Sequence, residues 1–498
     1  MMSTPYFIIL IALLLIAAPL VYLSHRLGRR WLPGLAQRIA LLVLLAAWAP
    51  FYLAVRQYQL DGPVSYAIAG DPLIFDGLSM LLATVVLLLG TTVVLFSGPY
   101  LAGESGQGKF YAMLLAMIGV IIGLGCAADL FNLWIWFEAM AVSSYLLVAF
   151  YKDIPASLEA GVKYLVQSAA GSVLVLLGIG LVLATAGTLR LSEIHALQGP
   201  SPALLAAGGL MVIGFGVKTA LVPLHTWLPD AHSQAPSGIS AMLSGIVIET
   251  GLLAMLRALG AIAPATVNWG LILMAFGALN MLVGNLLAVR QTQVKRLLAY
   301  SSLTHVGYML VGIGIAVYAR EISGAEGSLF HLFNHGLMKG LAFLAAGSFL
   351  FALHISQGDH APLTTQDLSG AARRYPWAGL ALCLALLSLG GLPPLAGFMS
   401  KWQIFSAGFQ TRNLFVGFLV VFAALNSVFS LAYYAPLINT VYRRKPSRVV
   451  EAGRPLPFSM EVVLLLLALA LIVVGLWPSS MSWLTEPAGA ALLASFAG

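Results

Sequence analysis

Lys218-Thr-Ala-Leu-Val-Pro-Leu-His-Thr-Trp-Leu-Pro-Asp-Ala-His232 is the stretch that decides how this chain folds. It closes an apolar run spanning 203–228 and carries two prolines, Pro223 and Pro229. Proline removes a backbone donor and clashes with the preceding turn, so a helix entering this stretch must break. A second apolar run, 378–407, contains Gly390-Gly-Leu-Pro-Pro-Leu-Ala-Gly397 and must break for the same reason. A lysine stands beside each break: Lys218 five residues before Pro223, and Lys401 seven after Pro394. Paired broken helices point to internal repeats and to an ion site near the membrane midplane.

Working outward, the chain is 60% hydrophobic and 9% charged, with mean hydropathy +0.94, which excludes an ordinary soluble protein. Apolar runs fall near 5–24, 36–55, 73–97, 110–128, 130–151, 160–186, 203–228, 236–260, 268–289, 294–318, 327–353, 378–407, 413–442 and 460–478. The expected fold class is therefore all-α: a polytopic membrane protein of about 14 transmembrane helices. The two breaks lie in helices 7 and 12, five helices apart. An odd repeat of five inverts the second unit, so helices 4–8 and 9–13 are expected to form two inverted repeats. The chain is read as one membrane domain, 1–498, with a first repeat at 110–260 and a second at 268–442.

The net charge of +7 is scattered between apolar spans rather than gathered on a soluble face, so nucleic acid is not an expected partner. Positive-inside bias accounts for it better. Loops after odd-numbered helices, helix ends included, hold 16 Lys/Arg, Arg29, Arg30 and Arg444 among them; loops after even-numbered helices hold five. That split predicts an inner (cytoplasmic) membrane protein with the odd loops in the cytoplasm and both termini outside. The first run has no basic residue before it and His25, Arg26, Arg29 and Arg30 after it, which reads as a retained helix rather than a cleaved signal. Cys126 and Cys383 sit in apolar runs and give neither a disulfide framework nor metal-ligand spacing.

Several ionisable residues are stranded inside these runs: Glu138, Lys218, Glu249, His305, His331, His335, Lys339 and Lys401. A charge at bilayer depth costs about 2.5–3.5 kcal/mol on insertion scales, so such groups face a protein interior or a wet cavity and mark ion paths. His331, His335 and Lys339 are four residues apart, stacking on one helix face and climbing about 12 Å. One histidine alone is more often a satisfied core residue; three aligned groups favour a proton wire. His305, near Ser301, Ser302, Thr304 and Tyr308, adds a polar step. Glu138 has no charge nearer in sequence than Asp129. A pair with Lys218 would be held by Coulomb attraction that a passing proton can weaken, and the bland alternative is a purely structural ion pair.

Other patterns carry less. Gly103-Glu-Ser-Gly-Gln-Gly108-Lys109 nearly matches a phosphate loop, but Phe110 stands where Ser or Thr is needed and no strand precedes it. His225, Asp230 and His232 fit no common zinc spacing and are expected to cap and tether the broken helix. No metal site and no fingerprint for a dinucleotide, haem or iron–sulfur cofactor is read from the chain.

Taken together, these stretches resemble the antiporter-like subunits of respiratory complex I, Mrp-type multisubunit sodium/proton antiporters and membrane-bound hydrogenases. The resemblance rests on Leu130-Phe-Asn-Leu-Trp-Ile-Trp-Phe-Glu138, Lys218 to His232, Lys295-Arg-Leu-Leu-Ala-Tyr-Ser-Ser-Leu-Thr-His-Val-Gly-Tyr308, the His331 to Lys339 run, and Gly391 to Lys401. It implies that Glu138 pairs with Lys218, that Lys401 is the terminal charge near the external outlet, and that the chain has no cofactor of its own. The short tail after the last helix is similar to M-, N- or D-type subunits rather than the L-type, and the lysine on helix 12 leans towards the N- or D-type. One departure stands out. Where these proteins carry a central lysine on helix 8, this chain reads Ser244-Gly-Ile-Val-Ile-Glu249, inverting the local charge.

The resemblance implies a proton-translocating, non-redox subunit of a complex I-like NADH/quinone oxidoreductase. Its expected partners are the lipid bilayer, other membrane subunits, and protons or sodium ions. The alternatives are a Mrp-type Na+/H+ antiporter subunit, a membrane-bound hydrogenase subunit, and a membrane scaffold whose charges are only buried pairs.

Overall fold

The computed structural model describes residues 5–28, 32, 34–68, 70–197, 199–443 and 445–497. Arg29, Arg30 and Arg444 of the charge count lie outside them.

Among the described residues, thirteen helices are long and apolar enough to cross a membrane. In chain order they are Tyr6–Gly28, Leu35–Asp61, Gly77–Tyr100, Gln107–Cys126, Leu130–Val148, Pro155–Ala186, Pro202–Thr219, Ser237–Ala265, Trp269–Ala288, Val294–Ala319, Ile322–Gln357, Leu414–Val441 and Phe458–Leu476. Two shorter helices, Pro376–Gly390 and Ala396–Gln410, fall between the eleventh and twelfth of these and together make one broken span. Counting it in sequence gives fourteen spans, the number expected. The seventh span is also broken: Pro202–Thr219 stops, and Trp227–Gln234 resumes.

Uniform apolarity cannot say which spans are central, because lipid and protein core are equally oily. Polar content can. The eighth span, which holds Glu249, is entirely enclosed by its neighbours, and the eleventh, which holds the His331 to Lys339 run, is nearly so. The second, sixth and thirteenth spans expose most of their apolar surface on the outside of the bundle. Ionisable groups are thus kept where protein can satisfy them.

Small residues bring the spans close. A Cβ on Gly270, Gly277 or Gly284 of the ninth span would lie 2.6–3.0 Å from backbone atoms of Gly314, Gly307, and Thr304 and Tyr300 of the tenth. Seven-residue spacing puts these glycines on one stripe, where backbones pack without intervening side chains.

Three features were not read from the sequence. An antiparallel hairpin, Val64–Ile68 with Asp71–Phe75, precedes the third span and pairs Val64 with Phe75. Asp76 then caps that span, accepting from Ser79 N at 2.9 Å and from Arg257 Nη2 at 2.8 Å, which ties in the end of the eighth span. The eighth span carries a π-helical turn, Leu243–Val247, immediately before Ile248 and Glu249. Finally, Ser482–Phe496 forms a short helix after the fourteenth span, packed through Gly489 on Glu326 and through Pro487 on Gly77.

Candidate functional site

The seventh span ends because Ala220 turns into the left-handed region (φ 59°) and Pro223 follows. The freed backbone groups are met by one side chain of the ninth span. Asn280 Oδ1 accepts from Val222 N at 2.8 Å, and Asn280 Nδ2 donates to Ala220 O at 3.2 Å. A buried amide thus replaces the lost helical bonds, as a broken membrane helix requires. Trp227 opens the second half, donating Nε1–H to Val217 O at 2.7 Å and stacking on Tyr164 with centroids 3.9 Å apart. Tyr164 in turn accepts from Lys218 Nζ at 2.6 Å, and Ser144 Oγ accepts from the same amine at 3.1 Å.

Lys218 is therefore hydrogen-bonded to hydroxyls and packed on an aromatic face, with Glu138 near enough for its charge to act on the amine but not bonded to it. Glu138 lies on the half-buried side of the fifth span, and its Oε1 is buried with no hydrogen-bond partner. No ion pair joins Glu138 to Lys218 among the described residues; the amine is instead held by Ser144 and Tyr164.

In the twelfth span the first half ends at Gly390, with Gly391 at φ 79°. Here an ionisable group meets the orphaned carbonyls. Lys401 Nζ donates to Leu389 O and to Ser427 Oγ, both at 2.8 Å, and Ser427 donates to Gly390 O at 3.1 Å. The amine also lies over the Tyr308 ring, 4.6 Å from its centroid. Asn334 Nδ2 donates to Ala396 O at 3.0 Å, and Gly397 N donates to Ser388 Oγ at 3.1 Å, completing the junction.

Between the two breaks runs a buried polar seam. Glu249 Oε1 is 2.5 Å from His335 Nδ1, both side chains fully enclosed. The His335 ring stacks near His305, with centroids 5.1 Å apart. His305 Nδ1 is 3.0 Å from His331 Nε2, and His331 Nδ1 is 2.8 Å from Ser400 Oγ. Ser400 precedes Lys401. Lys339 leaves this line: its Nζ donates to Leu298 O at 2.7 Å and to Ser301 Oγ. Helical spacing placed three groups on one face, but their partners differ: His335 meets the eighth span, His331 the tenth and twelfth, and Lys339 the tenth.

Of the trio at the first break, Asp230 does tether, pairing with Arg296 at 2.5 Å and Lys163 at 3.1 Å. His232 does not cap: it is buried against Phe343 with both ring nitrogens unpartnered, and His225 Nδ1 is likewise unpartnered. Sequence reasoning missed Asn280, Asn334, Ser400 and Ser427. The two asparagines inside apolar runs were the available signal; serine is too common in such runs to stand out. It also counted Lys295 as a loop charge, whereas its Nζ is buried and donates to Ala235 O at 2.5 Å.

Residues 127–430 match the family described as "NADH:quinone oxidoreductase/Mrp antiporter, TM". The chain belongs to that family. Every residue of the seam and of both breaks falls within the matched segment of this antiporter-like subunit. Across 493 residues it is 30% identical to "NADH-quinone oxidoreductase subunit N" of Desulforudis audaxviator, covering 93% of this chain and 95% of that protein. It is 32% identical to "F(420)H(2) dehydrogenase subunit N" of Methanosarcina mazei, covering 88% and 89% of the two chains. In structure it is similar to a chain of the membrane-bound sulfane sulfur reductase, an archaeal respiratory membrane complex. The TM-score is 0.88 at 27% identity, over 99% of this chain and 98% of the other.

Proposed function

We propose that this chain is the proton-translocating subunit of a complex I-like NADH/quinone oxidoreductase, moving protons in response to redox chemistry in other subunits. The observation that carries the reading is the enclosed run from Glu249 through His335, His305, His331 and Ser400 to the residue before Lys401. Its links are hydrogen bonds between groups that both accept and donate protons, except at His335 and His305, whose rings stack and pass a proton only through a ring turn or a bridging water. A scaffold needs only that its buried charges be paired; a run of imidazoles between Glu249 and Ser400 is what a proton path calls for.

In this reading Glu138 and Lys218 form a switchable unit at one end. The lysine rests on Ser144 and Tyr164, and movement of charge draws it towards the carboxylate. Glu249 and His335 replace the usual central lysine. His305 and His331 extend the wire, Lys339 branches from it towards Ser301, and Lys401 controls the outlet. The two five-span units, 110–260 and 268–442, place one broken helix in each half of the path. Odd-numbered loops face the cytoplasm and both termini face outward, supported by the 16 to five split of Lys/Arg.

The redox assignment is supported by relatives named as subunits of NADH-quinone and F(420)H(2) dehydrogenases. The test is to purify the assembled complex and reconstitute it in vesicles. Quinone reduction that acidifies one side, and stops doing so in the Glu138→Gln variant, is the expected result. Sodium/proton exchange without any electron donor would assign the chain to an antiporter instead.

A further inference from the structure

A polar cavity of about 30 Å3 lies where the third, fifth and eleventh spans end and the tenth begins. Its walls include Tyr100, Tyr151, Gln234, Gln293, Lys295 and His360. A water needs about 10–15 Å3, so roughly two fit. At the inner end is Lys295, 5% exposed, whose Nζ donates to Ala235 O at 2.5 Å. Ala235 follows directly on Trp227–Gln234, so this amine touches the second half of the broken seventh span.

At the outer end two loops distant in sequence meet. His360 Nε2 is 3.5 Å from Glu104 Oε1, with the side chains 31% and 22% exposed, and the imidazole packs on Tyr151 at 4.8 Å between ring centroids. The contact is not needed to anchor the His360 loop. Val294 N donates to Leu363 O at 3.0 Å and Thr365 N to Thr292 O at 2.8 Å, fixing that segment independently. The other ionisable groups nearby are Tyr100, Tyr151 and Asp359. The Asp359 carboxyl is held below the usual range by the Ala361 N–H and by His354.

An ionisable pair at a mouth, polar walls, and an amine at the floor form a path inward from solvent. We propose that Glu104 and His360 are a proton-collecting mouth, exchanging protons with bulk water and passing them through cavity water towards Lys295 and the first break. Each transfer moves one proton between oxygen or nitrogen lone pairs, and no oxidant or reductant is consumed. The inference rests on the chain being proton-translocating. It adds an entry on the side of the odd-numbered loops, which carry Lys109, Lys152, Arg373 and Arg374.

The test uses the whole complex in vesicles with wild type, His360→Gln, Glu104→Gln and Lys218→Met. Translocation is read against the pH of the compartment facing the mouth. The two mouth variants should match wild type near about pH 6 and fall several-fold behind it above about pH 8, where free protons are scarce and no local group gathers them. An unchanged pH profile overturns the proposal, as does an equal loss at every pH, which would mark a structural role. Lys218→Met separates the two readings. If it translocates normally, the relay itself is wrong; if it is blocked while His360→Gln keeps the wild-type profile, only the mouth is wrong.

Discussion

Glu249 and His335 face each other at 2.5 Å, both side chains fully enclosed. Replacing the carboxyl by an amide leaves the imidazole a poorer proton partner in an enclosed site, and removing one member of a buried pair is more damaging than never having had it. Glu249→Gln should lower translocation by at least about tenfold in reconstituted vesicles while the complex still assembles. Glu249→Lys should restore flux only together with a change at His335 or Lys339 that removes the new repulsion. Lys401→Met should block translocation, and Lys401→Arg should not rescue it, because guanidinium holds its proton at all working pH; full rescue by Arg would show that charge alone suffices. At this scale the sequence was generous with ionisable residues, since any charge in an apolar run stands out. It was silent on their partners. Periodicity stacked His331, His335 and Lys339 in one file, but Ser400, Glu249 and Ser301, brought in by other spans, sort them into separate contacts.

Both breaks were legible because proline and glycine act locally, whatever surrounds them. What fills the breaks was not, because Asn280 and Asn334 come from spans packed alongside. Asn280→Ala would leave Val222 N–H and Ala220 C=O without their side-chain partner. Each unsatisfied buried group costs about 1–3 kcal/mol, so a clear drop in the thermal stability of the purified complex is expected. Stability equal to wild type would mean that water replaces the amide. The hairpin at Val64–Phe75 escaped sequence reading because its residues merge with the apolar run of the third span, and five-residue strands carry little periodic signal. The π-helical turn escaped as well: nothing in Leu243-Ser-Gly-Ile-Val247 distinguishes it from ordinary helix.

At the scale of the molecule, fourteen spans emerged from the sequence because hydrophobic length is set by bilayer thickness and varies little. Which spans sit at the centre did not, since lipid-facing and protein-facing surfaces are equally apolar. Only the positions of buried ionisable groups could have told them apart. Orientation has a direct check. With an impermeant thiol reagent on intact cells, Ser192→Cys, in the loop after the sixth span, should be labelled. Lys445→Cys, after the thirteenth, should be labelled only once the membrane is opened. The native Cys126 is buried and Cys383 partly so, which limits background. The reverse pattern would turn the whole assignment upside down.

The two breaks differ in what holds them. A neutral amide bridges the first, so that clasp does not depend on where protons are. At the second, the Leu389 carbonyl is held by the ammonium of Lys401, which also bonds Ser427. Charge departing from that amine loosens one clasp of the backbone and charge returning tightens it. If Lys401 carries the proton as proposed, this joint's stiffness follows its own cargo, while the amide clasp of the first does not. On the proposed function, such a conduit would resemble a valve more than a wire, with proton occupancy at Lys401 setting how readily the outlet half yields.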